Sequence, residues 1–366
     1  MRTIDYKKNI INVPASILKW ANIKAPHDTL KLLDDALSID INHVILVLFD
    51  GFGANLIPNL NDQSLIKNAM KTSLDSVFPP TTAAATTSIL TGLTPYETGF
   101  LGWFQYFKDY DTYYTIFMGD DYYDHTKLID PFFKEAFNRE TFIDQINKDK
   151  NIAAKAFFPY PIDKEGYESI NHGLKEVSQF TKKHAKTVSY FYSVEPDLTQ
   201  HKTGTKSEET LTMINALNQS LEAFKNTLSK DTLVIMTADH GLTDVLAIDI
   251  NQDSTLNNYL RVKPSVEPRA TNFHVKDGLH EAFKAYFKKH YQDYFTLLDQ
   301  KTFLEKGYLG FGKKHPFVSM CLGDYIAIAH DQYYFDLTSE NKHKAHHAGI
   351  KEDELKVPLV IFKGAI

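Results

Sequence analysis

The stretch His43–Phe49 (HVILVLF) and the turn Asp50-Gly51-Phe52-Gly53 that follows it decide the fold class. A continuous run of branched and aromatic residues is typical of a strand that is buried on both faces of a parallel sheet. The two glycines permit a tight turn at the carboxyl end of that strand. The pattern predicts a buried parallel strand that ends on a carboxylate, Asp50.

Three further apolar runs repeat this pattern later in the chain. They are residues 188–194 (VSYFYSV), 232–237 (TLVIMT) and 357–362 (VPLVIF). Between the first two, residues 207–228 place their apolar side chains on one face of a helix. Strands that alternate with helices predict an α/β fold with a mostly parallel central sheet flanked by helices on both faces. Ligands of such folds bind at the carboxyl ends of the strands.

Residues 242–345 have a different pattern, with a predicted aromatic helix over 279–298 and a predicted hairpin formed by 325–329 and 333–337. We interpret this segment as an inserted, smaller α+β cap. The catalytic α/β domain would then comprise residues 1–241 and 346–366.

Composition excludes several classes of function. The 366-residue chain has a formal net charge of −6, which argues against a nucleic-acid polymer as partner. Its single cysteine excludes an internal disulfide and a cysteine-based zinc cluster. No run approaches the roughly 20 apolar residues of a membrane span, and the N-terminal residues make a poor signal peptide. We therefore expect a cytoplasmic protein that acts on a small molecule, without a membrane partner.

Acidic and histidine side chains gather at the predicted strand ends or in loops beside them. Each is weak evidence alone, since Asp197 and His201 have the spacing of a surface ion pair and His347 is one of fifteen histidines. The whole set is Asp50, Asp197, His201, Asp239, His240 and His347. Three carboxylates and three imidazoles suit two divalent cations, zinc before manganese or cobalt. Such a pair attracts a phosphate ester and can clamp the attacking and leaving oxygens of an in-line displacement.

A nucleophile is expected near the metals, at the start of a helix. Residues 77–92 (VFPPTTAAATTSILTG) open with two prolines and close on a glycine, which fits a helix that begins near Thr81 or Thr82. Free N–H groups at that end favour a phosphoryl group. A plain N-terminal cap is the alternative role of these threonines, and only the neighbouring metal site favours a nucleophile.

Four blocks of the sequence, in order, resemble the type I phosphodiesterase/nucleotide pyrophosphatase branch of the alkaline phosphatase superfamily. They are VLFDGFGANLI, FPPTTAAATTSILTGLTPYETG, EPDLTQHKTG with TADHGLTD, and HHAGIKEDELKVPLVIF. The resemblance extends from near residue 43 to the C-terminus.

The resemblance implies a role for each candidate residue. Thr82 corresponds to the nucleophile and binds the metal that activates it, whose other ligands are Asp50, Asp239 and His240. Asp197, His201 and His347 correspond to the ligands of the second metal. That metal would bind the leaving oxygen and then deliver the water that hydrolyses a phosphothreonine. His347 is preferred to His346 because HAGI matches the family's final histidine motif.

One position departs from the family. Nucleotide pyrophosphatases carry an asparagine after the nucleophile helix, and Trp103 takes that place here. We predict that Trp103, Phe104 and Tyr106 border the substrate and stack on a nucleobase, with a packed core as the alternative for the aromatic residues of this region. No arginine lies near the four blocks, which favours a diester or pyrophosphate over a monoester. For Arg269 a contact with a phosphate is one alternative, and a position at the surface is the one we expect.

Three hypotheses about function follow. The first is a two-metal hydrolase of nucleotide-like phosphodiester or pyrophosphate bonds that works through a phosphothreonine. The second is a phosphomonoesterase, phosphonate hydrolase or phosphoryl transferase that uses the same site. The third is a non-catalytic metal-binding interaction protein.

Overall fold

The computed structural model describes residues 2–128, 130–148 and 151–366. The strands in chain order are β1 (His43–Phe49), β2 (Met70–Asp75), β3 (Phe104–Phe107), β4 (Thr112–Thr115), β5 (Asp120–Asp121), β6 (Ala153–Phe157), β7 (Thr187–Ser193), β8 (Thr232–Thr237), β9 (Thr243–Asp244), β10 (Leu246–Asp249), β11 (Ser265–Val266), β12 (Ala270–Phe273), β13 (Phe295–Asp299), β14 (Tyr325–Ala329), β15 (Tyr333–Asp336), β16 (Ala345–His346) and β17 (Lys356–Lys363).

The α-helices are α1 (Asn12–Trp20), α2 (Lys31–Ala36), α3 (Leu65–Ala69), α4 (Thr82–Thr91), α5 (Pro95–Thr98), α6 (Pro131–Ala136), α7 (Phe142–Asn147), α8 (Ile170–Lys183), α9 (Asp197–Thr203), α10 (Glu208–Lys225), α11 (Ser254–Tyr259), α12 (His280–Tyr291), α13 (Gln300–Glu305), α14 (Pro316–Cys321) and α15 (Glu352–Leu355). Two short 3-10 helices lie at Ala54–Asn59 and Ile250–Gln252. None of the helices in the described ranges combines the length and apolar character needed to cross a bilayer.

The central sheet confirms the predicted α/β class. Its strand order is β2-β17-β8-β1-β7-β6, and β8, β1, β7 and β6 pair in parallel. The sheet is mixed, because β17 runs antiparallel to both of its neighbours. All seven residues of β1 are buried, as expected of a strand covered on both faces.

The register of this sheet sets the position of the site. Phe49, at the end of β1, lies opposite Ser193 at the end of β7, and Leu48 lies opposite Thr237 at the end of β8. The carboxyl ends of three neighbouring strands are therefore level, so the residues that follow them meet at one edge.

A second sheet has the order β13-β14-β12-β11-β3-β4-β5 and is antiparallel throughout. It takes strands from residues 265–329 and also from residues 104–121, which precede the predicted cap of 242–345. The division into a cap and a domain of 1–241 and 346–366 stays a prediction.

Two local predictions in this region were wrong. The helix expected over 279–298 ends at Tyr291, because β13 pairs with β14 and the pairing outweighs the helical pattern. The hairpin of 325–329 and 333–337 does not form. Instead β14 pairs with β12 and β13, while β15 pairs in parallel with β10.

Arg269 lies inside the protein, where it joins the second sheet to α15, the short helix before β17. Its Nε and Nη2 donate to Glu354 Oε1 at 2.7 Å and Oε2 at 2.8 Å, and both side chains are fully buried. Glu354 Oε1 also accepts from the amide of Gly349 at 2.7 Å. The surface position expected for Arg269 was therefore wrong, and the buried pair holds the loop that contains His347.

Candidate active site

Three carboxylates converge at the level strand ends. Asp50 follows β1, Asp239 follows β8 after one residue, and Asp197 begins α9 after β7. The amide of Gly51 donates to Asp239 Oδ1 at 3.1 Å, and the amide of Asp197 donates to the Asp50 carbonyl at 3.0 Å. Gly51 has φ +70°, and a Cβ there would lie 2.8 Å from that of Asp197, so only glycine fits between the two strand ends.

Thr82 faces one end of this cluster. Its Oγ1 lies 3.1 Å from His240 Nε2 and 3.5 Å from each carboxylate oxygen of Asp50. The hydroxyl of Tyr192 donates to Asp50 Oδ2 and orients that carboxylate. Thr82 is therefore next to Asp50 and His240, two of the three residues predicted to bind the same metal.

The second group of predicted ligands is also assembled. Asp197 and His201 are four residues apart on α9, with 3.3 Å between Asp197 Oδ1 and His201 Nε2. His201 Nδ1 donates to the carbonyl of Ala345 at 2.8 Å, which turns Nε2 toward the site. His347 completes the group, and its amide donates to His346 Nδ1 at 2.9 Å, so His346 supports the loop.

The two groups adjoin each other. Ligand atoms of Asp197, His201 and His347 lie within 4.8 Å of one another, and so do those of Asp50, Asp197 and His240. Asp239, expected in the second of these groups, has its Oδ2 3.5 Å from His240 Nε2. The rings of His240 and His347 stack with 4.0 Å between their centroids. Asp197 belongs to both groups, so the predicted ligands form one continuous cluster.

The electrostatics of the cluster favour a bound cation. Burial, together with the nearby Asp239, raises the pKa of Asp50 and of Asp197 well above the usual range. Burial lowers the pKa of His201 to about 3 and that of His347 well below its usual value. Asp197 Oδ1, Asp239 Oδ2 and His347 Nδ1 are buried without a hydrogen bond. Buried polar atoms of this kind are costly, and divalent cations would satisfy them. The residues fit a metal centre.

Glu267, in the turn between β11 and β12 of the second sheet, contacts the start of α4. Thr81, the N-cap residue, makes no side-chain hydrogen bond to the helix, because its hydroxyl donates to Glu267 Oε1 at 2.6 Å. The same oxygen accepts from the amide of Trp103 at 2.6 Å. The first N–H groups of α4, beside Thr82, are thereby left to bind an anion.

Sequence reasoning missed Glu267 and Tyr192. Tyr192 lies within the predicted strand 188–194, one residue before β7 ends. Its position near the carboxyl end of a strand is the sequence feature that could have indicated a place in the site. Glu267 comes from the second sheet, 186 residues away from Thr81. Nothing in its local sequence signals that contact.

The buried Glu267 predicts a pH dependence of stability. Burial raises the pKa of the Glu267 carboxyl from 4.5 to about 7. Between these two pH values the carboxyl is protonated in the folded protein and ionised in the unfolded chain. Stability should therefore fall as pH rises between these two values, by about 3 kcal/mol in total. Glu267→Gln removes the titration. The midpoint of thermal unfolding of the variant, relative to the wild type, should rise from pH 4.5 to 7.5. If the unfolding midpoints of the two proteins changed with pH in the same way, the raised pKa of Glu267 would be contradicted.

A cavity of about 670 Å³ opens beside Thr82 and Asp50. Its lining away from those residues is mostly apolar. The apolar lining residues are Leu90, Trp103, Phe117, Met118, Phe158, Pro161, Ile162, Val194 and Leu198.

Of the three aromatic residues predicted to border the substrate, the structure brings Trp103 alone to this cavity. Phe104 is fully buried and stacks on Tyr122 with 3.6 Å between ring centroids. Tyr106 is 7% exposed, and its hydroxyl donates to Asp111 at 2.9 Å. Both belong to the interior of the second sheet, so the expectation that Phe104 and Tyr106 contact substrate was wrong.

Comparison with known proteins agrees with this geometry. Residues 44–350 match the family model of type I phosphodiesterase/nucleotide pyrophosphatase. A search of curated protein sequences found no match.

Solved structures share the fold. Murine ectonucleotide pyrophosphatase/phosphodiesterase 5 is similar with a TM-score of 0.65 and 17% identity, over 86% of this chain and 87% of the other. An inactive variant of the murine protein, in complex with AMP, gives the same values. The human protein has a TM-score of 0.64 and 18% identity over the same shares.

The match of the family model covers most of the chain, from β1 to the loop of His347, and includes every predicted ligand and Thr82. It confirms the resemblance seen in the sequence and supports a hydrolase of the phosphodiesterase/pyrophosphatase type. The chain belongs to the type I phosphodiesterase/nucleotide pyrophosphatase family.

Proposed function

We propose that the protein is a two-metal phosphoesterase that cleaves phosphodiester or pyrophosphate bonds of nucleotide-like small molecules through a phosphothreonine on Thr82. The observation that carries the proposal is the position of Thr82 Oγ1. It lies at the open end of α4, 3.1 Å from His240 Nε2 and 3.5 Å from Asp50. A hydroxyl held there faces both the N–H groups that bind an anion and the residues that suit a cation.

Two cations are assigned from the donor set. Asp50, Asp239, His240 and Thr82 would hold one, and Asp197, His201 and His347 the other. Mixed carboxylate and imidazole donors suit zinc, with manganese or cobalt as alternatives. When bound, the cations supply charge that activates the attacking oxygen and stabilises the leaving one.

The residues of the chain would then act in two steps. Thr82 Oγ1 loses its proton and bonds to phosphorus as the bond to the leaving oxygen breaks, and that oxygen takes up a proton. Water then attacks the same phosphorus, the bond to Thr82 breaks, and Thr82 regains its proton. The N–H groups at the start of α4 hold the phosphoryl oxygens throughout.

The charge around the site supports a diester or pyrophosphate rather than a monoester. Each arginine of the chain has a partner elsewhere: Arg2 on Asp75, Arg139 on the carbonyl of Ala136, Arg261 on Asp324, and Arg269 on Glu354. No guanidinium is therefore left to match the extra charge of a monoester. The AMP bound by the murine relative supports a nucleotide-like substrate.

A comparison of two chromogenic esters tests this function. With zinc, the protein should cleave bis-p-nitrophenyl phosphate with a kcat/KM at least about tenfold above that for p-nitrophenyl phosphate, because no guanidinium matches the extra charge of the monoester; tenfold corresponds to about 1.4 kcal/mol. The opposite ranking would favour a phosphomonoesterase. Absence of hydrolysis with zinc, manganese or cobalt would contradict an esterase altogether.

A further inference from the structure

The cavity beside Thr82 carries apolar side chains that are exposed to solvent. Phe117, Met118, Ile162 and Leu198 are 44–57% exposed, although large apolar side chains are normally covered. Together with Trp103 they form what we call the apolar wall, which lines one continuous cavity with Asp50 and Thr82. A contiguous exposed apolar surface next to a reaction centre is typical of a binding site.

Most polar groups of the cavity belong to the reaction centre or already have hydrogen-bond partners. Thr86 donates its hydroxyl to the carbonyl of Thr82, and Tyr192 donates its hydroxyl to Asp50. Tyr190 has a hydroxyl without a partner, but its side chain is fully buried. Among the described residues that line the cavity there is no lysine, arginine, histidine, asparagine or glutamine. Such a surface offers no set of partners for the polar edge of a nucleobase and no charge for a second phosphate.

We propose that the apolar wall binds an aliphatic or aryl group esterified to the phosphorus that Thr82 attacks, so that the preferred substrates are phosphodiesters with a hydrophobic organic group. The inference rests on the phosphodiesterase part of the proposed function and replaces the nucleoside group of the substrate with a hydrophobic one. The cavity adjoins Thr82, and the leaving oxygen of an in-line displacement departs on the side opposite the nucleophile. The cavity follows α4 from Thr82 to Thr86 and Leu90, and it also includes Asp197. Because it begins at the nucleophile, the group in the cavity is assigned as the one that stays on phosphorus after the first step.

A series of p-nitrophenyl phosphodiesters that differ in the second ester group tests the proposal. The leaving group is constant, and the second group is methyl, butyl, hexyl, octyl or the 5′-position of thymidine, each assayed with zinc below its micelle concentration. We expect kcat/KM to rise about threefold for each methylene that enters the cavity, on the order of 100-fold from methyl to hexyl. The thymidine ester should fall below the hexyl ester.

A matched pair of variants locates the effect. Ile162→Asn adds a polar group to the apolar wall and should lower the ratio of hexyl to methyl kcat/KM by about tenfold, since it removes a large apolar contact. Ile39→Asn makes the same change at a side chain that is 97% exposed and outside the cavity, and should leave the ratio at its wild-type value.

The outcomes separate the two proposals. Equal rates across the series, or fastest cleavage of the thymidine ester, would overturn the apolar preference and leave the phosphodiesterase assignment in place. An unchanged ratio in Ile162→Asn would also overturn the role of the apolar wall. Failure to cleave any member of the series with zinc, manganese or cobalt would overturn both.

Discussion

Thr82→Ala should lower kcat by at least about a thousandfold, because the variant has no oxygen to bond to phosphorus. The other predicted ligands do not change, so the purified variant should still bind two equivalents of zinc. Steady-state kinetics with bis-p-nitrophenyl phosphate and elemental analysis of the same sample measure both quantities.

Thr82→Ser is the matched control for this experiment. It keeps a hydroxyl at the start of α4 and removes only a methyl group, so a substantial part of the activity should remain. Wild-type turnover in the alanine variant would exclude Thr82 as the nucleophile. Loss of metal along with activity in that variant would show instead that the threonine acts mainly as a ligand.

His347→Ala should remove about one of two bound zinc ions and lower kcat/KM by at least ~100-fold. The imidazole is buried, its Nδ1 has no hydrogen bond, and its ring stacks on that of His240. Its loss therefore deprives one cation of a ligand while Asp50, Asp239 and His240 stay intact. Metal analysis after gel filtration measures the stoichiometry.

His330→Ala provides the comparison for that variant. His330 is an exposed histidine in the loop between β14 and β15 and is not one of the residues whose ligand atoms meet in the cluster, so its substitution should change neither metal content nor activity. Retention of two tightly bound ions in His347→Ala would remove His347 from the ligand set.

The sequence was most informative where buried strands end. Asp50 directly follows one apolar run, and Asp239 and His240 follow another after a single alanine. Such runs are typical of central strands, and parallel pairing brings their ends to one edge. The position of α4 followed from its prolines and final glycine, and the helix indeed begins at Thr82. His347 had no such signal, since it lies in a loop, and only the resemblance to the family selected it over His346.

Contacts between distant segments were beyond sequence reasoning. Glu267 reaches Thr81 only because the second sheet packs against the start of α4, and the buried partner of Arg269 lies 85 residues away. The prediction for Phe104 and Tyr106 failed for a simpler reason. Phe104 and Tyr106 are two residues apart in β3, so they share one face of the strand, and that face is buried. Trp103 precedes the strand and reaches the cavity.

The most direct test of the account is anomalous diffraction from crystals of the zinc-loaded protein. The account predicts two peaks ~3.5–4 Å apart. One should lie among Asp50, Asp239, His240 and Thr82 Oγ1, and the other among Asp197, His201 and His347. A single peak, or two ions with Thr82 Oγ1 directed away from both, would contradict it.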